Sequence, residues 1–281
     1  MKPEAWPKRL KRACRYYDAR AHFLKGRFSR ALRETDVFLI GHPKSGNTWL
    51  AYLLALLLFP ERSEHITLAN LRRFVPHVSG RDHFIVKHHS LPDPRIFRNH
   101  QPLYPERYHR IIYLVRDPRA VLVSLWHHYR VARSDTTTTL EELVDEYLSK
   151  DRFDVWLRDL YRWDHHVTRF ALGPMVKSSV LIVKYEDLVR DRRQQLDRLI
   201  NFLDIAPMHE SLDLADARGS FEAMRSAEES HGVEHFRKVR SAGQPFIRSG
   251  QIDGWQEELT PTAVDRIERS LQPVMEQLRY L

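Results

Sequence analysis

A single cysteine, Cys14, stands in 281 residues, so the chain can form neither an intramolecular disulfide nor a cysteine-based metal cluster. That scarcity also points to a reducing compartment. Low-complexity sequence is confined to four threonines, Thr136 to Thr139, and no internal repeat is visible. The apolar run WLAYLLALLLF, Trp49 to Phe59, has eleven residues, well short of the roughly 20 that span a bilayer. The N-terminal stretch lacks the continuous apolar core of a signal peptide. What remains is an ordinary soluble composition, 42% hydrophobic and 29% charged, long enough for one domain or one domain plus an arm.

Charge is unevenly placed. The net +8 is concentrated in residues 1–33, which hold eleven Lys/Arg against Glu4 and Asp18; the other 248 residues carry 34 basic and 35 acidic side chains. Trp6, Leu10, Tyr16, Tyr17, Phe23 and Leu24 punctuate this segment. A basic amphipathic helix of that kind either packs on the domain by its aromatic face or meets an anionic membrane or substrate. The expected division is therefore a basic arm, 1–35, and a single domain, 36–281. A cytoplasmic location is expected, with peripheral contact at the inner membrane face as the alternative; no nucleic-acid partner is expected.

Four short, nearly continuous apolar runs read as strands: DVFLI (36–40), HFIVKH (83–88), RIIYLV (110–115) and SVLIVKY (179–185). Such runs suit strands covered on both faces of a parallel sheet. Helices are expected at Asn47–Phe59, Pro118–Arg130, Leu140–Lys150, Phe153–Leu172, Asp187–Leu203 and Thr262–Leu278. Pro118 suits a first helical turn, and TTTTLEEL offers a threonine cap followed by glutamate. The alternation predicts an α/β fold with a central parallel β-sheet flanked by helices. Ligands in such sheets bind at the carboxyl ends of the strands. Gly41–Thr48, Lys87–His89, Arg116 and Tyr185 all fall there.

The stretch GHPKSGNT, Gly41 to Thr48, has the outline of a phosphate-binding loop between a strand and a helix. Its backbone N–H groups and the helix N-terminus form an anion cradle, to which Ser45, Asn47 and Thr48 can add donors. The nucleotide triphosphate version, GxxxxGK[ST], places lysine after the second glycine. Here Asn47 follows Gly46, and the lysine, Lys44, lies inside the loop.

PKSGNTW, Pro43 to Trp49, resembles the PKSGTTW signature of sulfotransferases that use 3′-phosphoadenosine 5′-phosphosulfate (PAPS). The resemblance implies that Lys44, Ser45, Gly46, Asn47, Thr48 and Trp49 hold the phosphosulfate end, with Lys44 at the bridging oxygen and no metal required. YLVRDPRAVLVSLWHHY is similar to the family's 3′-phosphate site and implies that role for Arg116 and Ser124. A guanidinium fork suits a phosphate carrying nearly two charges. FIRSGQIDGWQEELT is similar to the family's RKGxxGDW segment and implies that Arg248, Ser249 and Gly250 close over the same phosphate; Ser249 replaces a lysine and the Asp253–Gly254 order is reversed. VKYEDL and GSFEAMR resemble segments that imply Tyr185 and Phe221 at the adenine, with Trp49 beside them. VKHHSLP resembles KTHLP and implies His89 as catalytic base, with His88 as the alternative, and Lys87 assisting Lys44 at the sulfonate. Ser124 is further implied to restrain Lys44 until the acceptor arrives.

The similarity runs from about Asp36 to Leu281 and implies transfer of a sulfonate to a hydroxyl or amine by in-line attack. A P-loop kinase or NTPase, with Asp117 as its metal carboxylate, and a non-catalytic nucleotide or polyanion binder are the alternatives. The acceptor is expected to be a small molecule or the hydroxyl of a glycan or lipid, walled by residues 61–82, 90–108 and 131–156. The family's dimer segment KxxxTVxxxE is represented only by Gln256, Thr260, Pro261 and Asp265, which leaves the oligomeric state open.

Overall fold

The computed structural model describes residues 32–78, 90–102, 105–132, 137–155, 158–173, 179–206, 209–233 and 245–281. The expected strand HFIVKH and the basic arm up to residue 31 lie outside these.

Four parallel strands form the central sheet: β1 (Val37–Gly41), β2 (Ile96–Asn99), β3 (Arg110–Val115) and β6 (Ser179–Lys184), in the order β2-β1-β3-β6. An antiparallel pair, β4 (Arg152–Val155) and β5 (Arg158–Tyr161), stands apart. The helices are α1 (Asn47–Leu58), α2 (Pro118–Ala132), α3 (Leu140–Leu148), α4 (Trp163–Val167), α5 (Tyr185–Arg190), α6 (Arg192–Leu203), α7 (His209–Arg218), α8 (Phe221–His231) and α9 (Pro261–Gln277).

The pleat explains how so thin a sheet is buried. Successive side chains on a strand point to opposite faces. Val37, Leu39, Ile112 and Leu114 join α1, α6 and α7 in one core cluster. Phe38, Ile40, Ile111, Tyr113 and Val115 join α2, α3, α4 and α9 in the other. All five residues of β1 are buried. α1 is apolar nearly all round and buried accordingly, whereas α9 presents one stripe, Ala263, Ile267, Leu271 and Met275.

Local chemistry sets the boundaries of several elements. α3 begins with a capping box, the Thr139 side chain accepting from Glu142 N–H while Glu142 reaches back. The helix expected at Asp187–Leu203 is two: α5 ends at Arg190, and Asp191 caps α6 by accepting from Gln194 N–H at 3.0 Å. The single helix expected over Phe153–Leu172 is corrected to β4, β5, α4 and a π-helical turn, Thr168–Leu172. Phe153 and Leu160 face each other across the hairpin and both are buried in the core, a cross-strand pair that a helix spanning them would separate.

β2 was not among the expected strands. Its start is tied to that of β1 by the ion pair of Arg95 and Asp36, whose two bonds measure 2.7 and 2.6 Å with both side chains at most 1% exposed. Charge-paired burial of this kind is strongly destabilising to break from one side. Asp36→Ala is expected to lower unfolding free energy by about 3 kcal/mol, read from urea denaturation at neutral pH; an unchanged midpoint would refute the pair's role.

Candidate active site

The turn from β1 into α1 takes five residues, and two adopt left-handed backbone conformations, Lys44 at φ 72° and Gly46 at φ 101°. At Gly46 a Cβ would lie 2.8 Å from the Tyr185 ring, so glycine is required by both backbone and space. The turn is braced by Ser45 N–H donating to His42 C=O at 3.2 Å and by the Asn47 amide donating to the same carbonyl at 3.1 Å. α1 has no side-chain cap and no acidic residue in its first turn. Its N-terminal N–H groups therefore lack side-chain acceptors where the helix dipole favours an anion. Ser45 Oγ is buried without a hydrogen-bond partner, as is Arg116 Nε. Two such donors beside the loop fit a phosphate- or sulfate-bearing ligand.

A cavity of about 760 Å³ opens over this loop. Lys44, Gly46, Asn47, Thr48 and Trp49 line it from the loop and α1. Arg116 follows β3, Ser124 comes from α2 and Tyr185 opens α5 at the end of β6; all three line it too. Phe221, at the start of α8, and Arg248, Ser249 and Gly250 complete the expected set. Ser45 is buried within the loop and is not part of the lining. Lys87, His88 and His89 lie outside the described residues.

Contacts within the cavity divide it by chemistry. The Arg116 guanidinium lies 4.1 Å from the centre of the Tyr185 ring, and its two terminal nitrogens reach Lys44 C=O and Gln251 C=O at 3.4 Å each. Trp49 meets Tyr185 edge-on at 5.4 Å and donates its indole N–H to Gly219 C=O at 2.9 Å. Phe221 is 36% exposed, the one large exposed aromatic among the described residues, and leaves a ring face for a planar ligand. Arg248 pairs with Glu258 at 2.7 Å, whose other oxygen meets His127 Nε2 at 2.5 Å. Burial pushes the Lys44 ammonium down to about 8, with Arg116 and then Arg248 adding repulsion. Its Nζ lies 5.1 Å over the Phe246 ring.

Several lining residues were not singled out individually by the sequence reading: Arg72, His77, Arg98, His100, His128 and Phe246. His100 comes directly after β2, beside the exit of β1. Its Nδ1–H donates to Gly41 C=O at 2.9 Å, leaving Nε2 as the basic nitrogen of the neutral ring. Its carbonyl accepts from His166 Nε2 at 2.5 Å. The missed signal is the segment IFRNHQP, in which Arg98, Asn99 and His100 follow an apolar run as Lys87, His88 and His89 do. Leu68, Arg72 and His77, with Arg98 and His100, come from two of the three segments expected to wall the acceptor.

Behind the loop lies a polar layer. His42 Nδ1–H donates to Pro43 C=O at 2.9 Å, and its Nε2 accepts from the Tyr147 hydroxyl at 3.1 Å. The Tyr113 hydroxyl donates to His166 Nδ1 at 2.7 Å. Burial lowers His42 to about 4 and His166 well below the usual imidazole range. Asp117, which a kinase would need for its metal, instead accepts from Arg119 Nε at 2.9 Å and Nη2 at 2.6 Å.

Fold and cavity define an α/β protein built on a P-loop-like anion cradle. The chain belongs to the sulfotransferase domain family, which it matches over residues 34–279, and it is a PAPS-dependent sulfotransferase. It is 26% identical over 255 residues to an amine sulfotransferase of Oryctolagus cuniculus, covering 87% of this chain and 82% of that one. Cytosolic sulfotransferase 12 of Arabidopsis thaliana is 26% identical over 85% of this chain and 77% of its own. The crystal structure of a mouse sulfotransferase complexed with adenosine 3′,5′-bisphosphate (PAP) shares the fold, with a TM-score of 0.64 at 22% identity over 90% of this chain and 87% of that one. Among the described residues no helix is long and apolar enough to cross a membrane.

Neutral burial of His42 and His166 has a pH consequence. Both are protonated more readily in the unfolded chain, so stability is full above about pH 6.5 and falls as pH drops towards 4. Each contributes a slope of about 1.4 kcal/mol per pH unit in that window. Urea unfolding at pH 7, 6 and 5 measures it; stability independent of pH across this range would contradict neutral burial.

Proposed function

We propose that this protein moves a sulfonate from PAPS to a hydroxyl or amine of a small-molecule acceptor, in the cytoplasm, with a histidine taking the acceptor's proton. The observation that carries this reading is the convergence of Lys44, Arg116, Ser124, Tyr185, Phe221 and Arg248 on one cavity above an uncapped helix N-terminus. When bound, the donor supplies an activated sulfonate joined to phosphate through an S–O–P bridge. The loop from Lys44 to Thr48 would hold that end, Arg116, Ser124 and the Arg248–Gly250 segment the 3′-phosphate, and Trp49, Tyr185 and Phe221 the base. Lys44 would offset charge on the departing phosphate oxygen. Such positioning and electrostatic stabilisation are the main contributions available in group transfer of this kind.

For the proton acceptor, the specific contacts favour His100. It lines the cavity with Lys44, its tautomer is held by Gly41 C=O, and Arg98, two residues earlier, lines the same cavity. Arg98-Asn99-His100-Gln101-Pro102 follows the KTHLP pattern with arginine for lysine, asparagine for threonine and glutamine for leucine. Arg98 would then take the part given above to Lys87, and His89 stands as the rival base. The amine sulfotransferase relative supports a nitrogen as well as an oxygen acceptor, and glycan or lipid hydroxyls belong in the same acceptor screen.

A labelled-sulfonate assay over a panel of phenols, steroid alcohols, amines and sugars tests the reaction, in EDTA to exclude metal-dependent phosphoryl chemistry. His100→Ala is expected to lower kcat by about 100-fold or more while PAP binding is kept; His89→Ala should leave kcat near wild type. The opposite pattern would return the role to His89, and full activity in both variants would remove the histidine base. Lack of transfer to any acceptor despite PAP binding would favour a non-catalytic binder.

A further inference from the structure

Three side chains on one face of α8 meet a segment, Phe246 to Gly250, that lines the cavity. Phe221, Arg225 and Glu228 are spaced four and three residues apart, which stacks them along one side of a helix. Glu228 accepts two consecutive backbone N–H groups, Phe246 on Oε1 at 2.6 Å and Ile247 on Oε2 at 2.8 Å. Arg225 Nη1 donates to the carbonyl of Ile247 at 2.5 Å. The residues held in this way are the ones immediately before Arg248, Ser249 and Gly250. At the other end of the same face, the Phe221 ring lies so close to Gly250 that a Cβ there would be 2.5 Å away; Gly250 has φ 66°.

This arrangement makes α8 more than a neighbour of the site. Its first residue offers the exposed ring, and its second and third turns pin the backbone that presents Arg248 and sets Phe246 beneath the Lys44 ammonium. α8 is itself anchored, with Ser220 accepting from Ala223 N–H at 3.1 Å and Met224 buried in the core. The carboxylate of Glu228 is the only common tether of the two N–H groups among the described contacts, and each bond is charge-assisted.

We propose that Glu228, seconded by Arg225, is a positioning residue for the nucleotide donor: it fixes the segment before Arg248 against α8, so that the base-facing and phosphate-facing parts of the donor site keep one relative geometry. Neither side chain touches the reacting atoms in this role. Neither lines the cavity, so the effect falls on donor and PAP affinity, transmitted through the segment they hold. The inference rests on the donor-site reading above.

Calorimetric titration of PAP into the purified full chain, with two-substrate kinetics, tests it. Glu228→Gln replaces one accepting oxygen by an amide donor and removes the charge. It is expected to weaken PAP binding about tenfold or more and raise donor KM in proportion, with acceptor KM and kcat held within about twofold. Glu228→Asp, which keeps the carboxylate, should recover part of the loss. Arg225→Ala, at a partly exposed side chain, should weaken PAP binding in the same direction and decides the matter if Glu228→Gln does not fold. Wild-type PAP affinity in the Glu228 and Arg225 variants would overturn the proposal, as would a fall in kcat with donor KM unchanged. Absence of PAP binding by the wild type would instead remove the donor-site reading, and this inference with it.

Discussion

β1 has no exposed surface: strands flank both its edges and a core cluster covers each face. A chain leaving such a strand must turn at its carboxyl end before it can re-enter the core as α1. The turn available is five residues long and needs two left-handed conformations, at Lys44 and Gly46. Made this way, it leaves the first N–H groups of α1 without a side-chain cap. Thr139, Asp191, Ser220 and Thr260 cap the starts of α3, α6, α8 and α9 with their side chains, whereas α1, like α4 and α5, has no such cap. The uncapped start of α1 falls where the sheet order reverses direction, from β2 on one side of β1 to β3 on the other, which is where open α/β sheets bind ligands. The anion cradle is thus a consequence of how a fully buried strand is connected.

Electrostatics follow from the same geometry. Strand ends deliver Arg116 and Lys44 to one rim, and Arg248 arrives from the C-terminal segment. Three cations share one partly enclosed space, and the depressed Lys44 reflects first its burial and then repulsion from Arg116 and Arg248. Arg116 is eased by the Tyr185 ring and two carbonyls, Arg248 by Glu258. None of these contacts matches a bidentate phosphate in strength, so the arrangement is better satisfied with an anion than without one. Such local destabilisation is the usual companion of a binding site.

What could be read directly from the chain was whatever depends on short spacing. The loop, the β3–Arg116–Ser124 succession and the threonine cap of α3 are all encoded within a few residues of one another, and the structure brings Lys44, Arg116, Ser124, Tyr185, Phe221 and Arg248 to one cavity. Long-range pairing was less legible. Two segments, one ending Lys87-His88-His89 and one ending Arg98-Asn99-His100, carry an apolar run followed by a basic residue and a histidine. That Ile96–Asn99 lies beside β1 rests on pairing across about sixty residues of sequence and on the Asp36–Arg95 ion pair, not on local pattern. The hairpin at 152–161 was obscured for a related reason, since Phe153 and Leu160 show their pairing only once the core is assembled. Glu228 gave no local signal at all: its partners are backbone groups eighteen and nineteen residues away.

In the proposal above His100 takes the acceptor's proton, and its surroundings bear on that role. Its ring meets a peptide carbonyl, Gly41 C=O, and its own carbonyl is held by His166, a ring kept neutral by burial. A carboxylate partner would stabilise the imidazolium and strengthen the base; a carbonyl selects the tautomer while adding no formal negative charge. That distinction matters beside a donor with several negative charges, because a further anion at this point would oppose donor binding. The neighbouring groups are consistent with it: His42, Tyr113, Tyr147 and His166 form a neutral layer behind the loop, and the carboxylates nearest in sequence to the phosphate side, Asp117 and Glu186, are occupied by Arg119 and by Asp117 N–H with Tyr280. Asp117 and Glu186 are thereby engaged behind the loop, and the carboxylate in the cavity lining is that of Glu222, beside Phe221 at the start of α8.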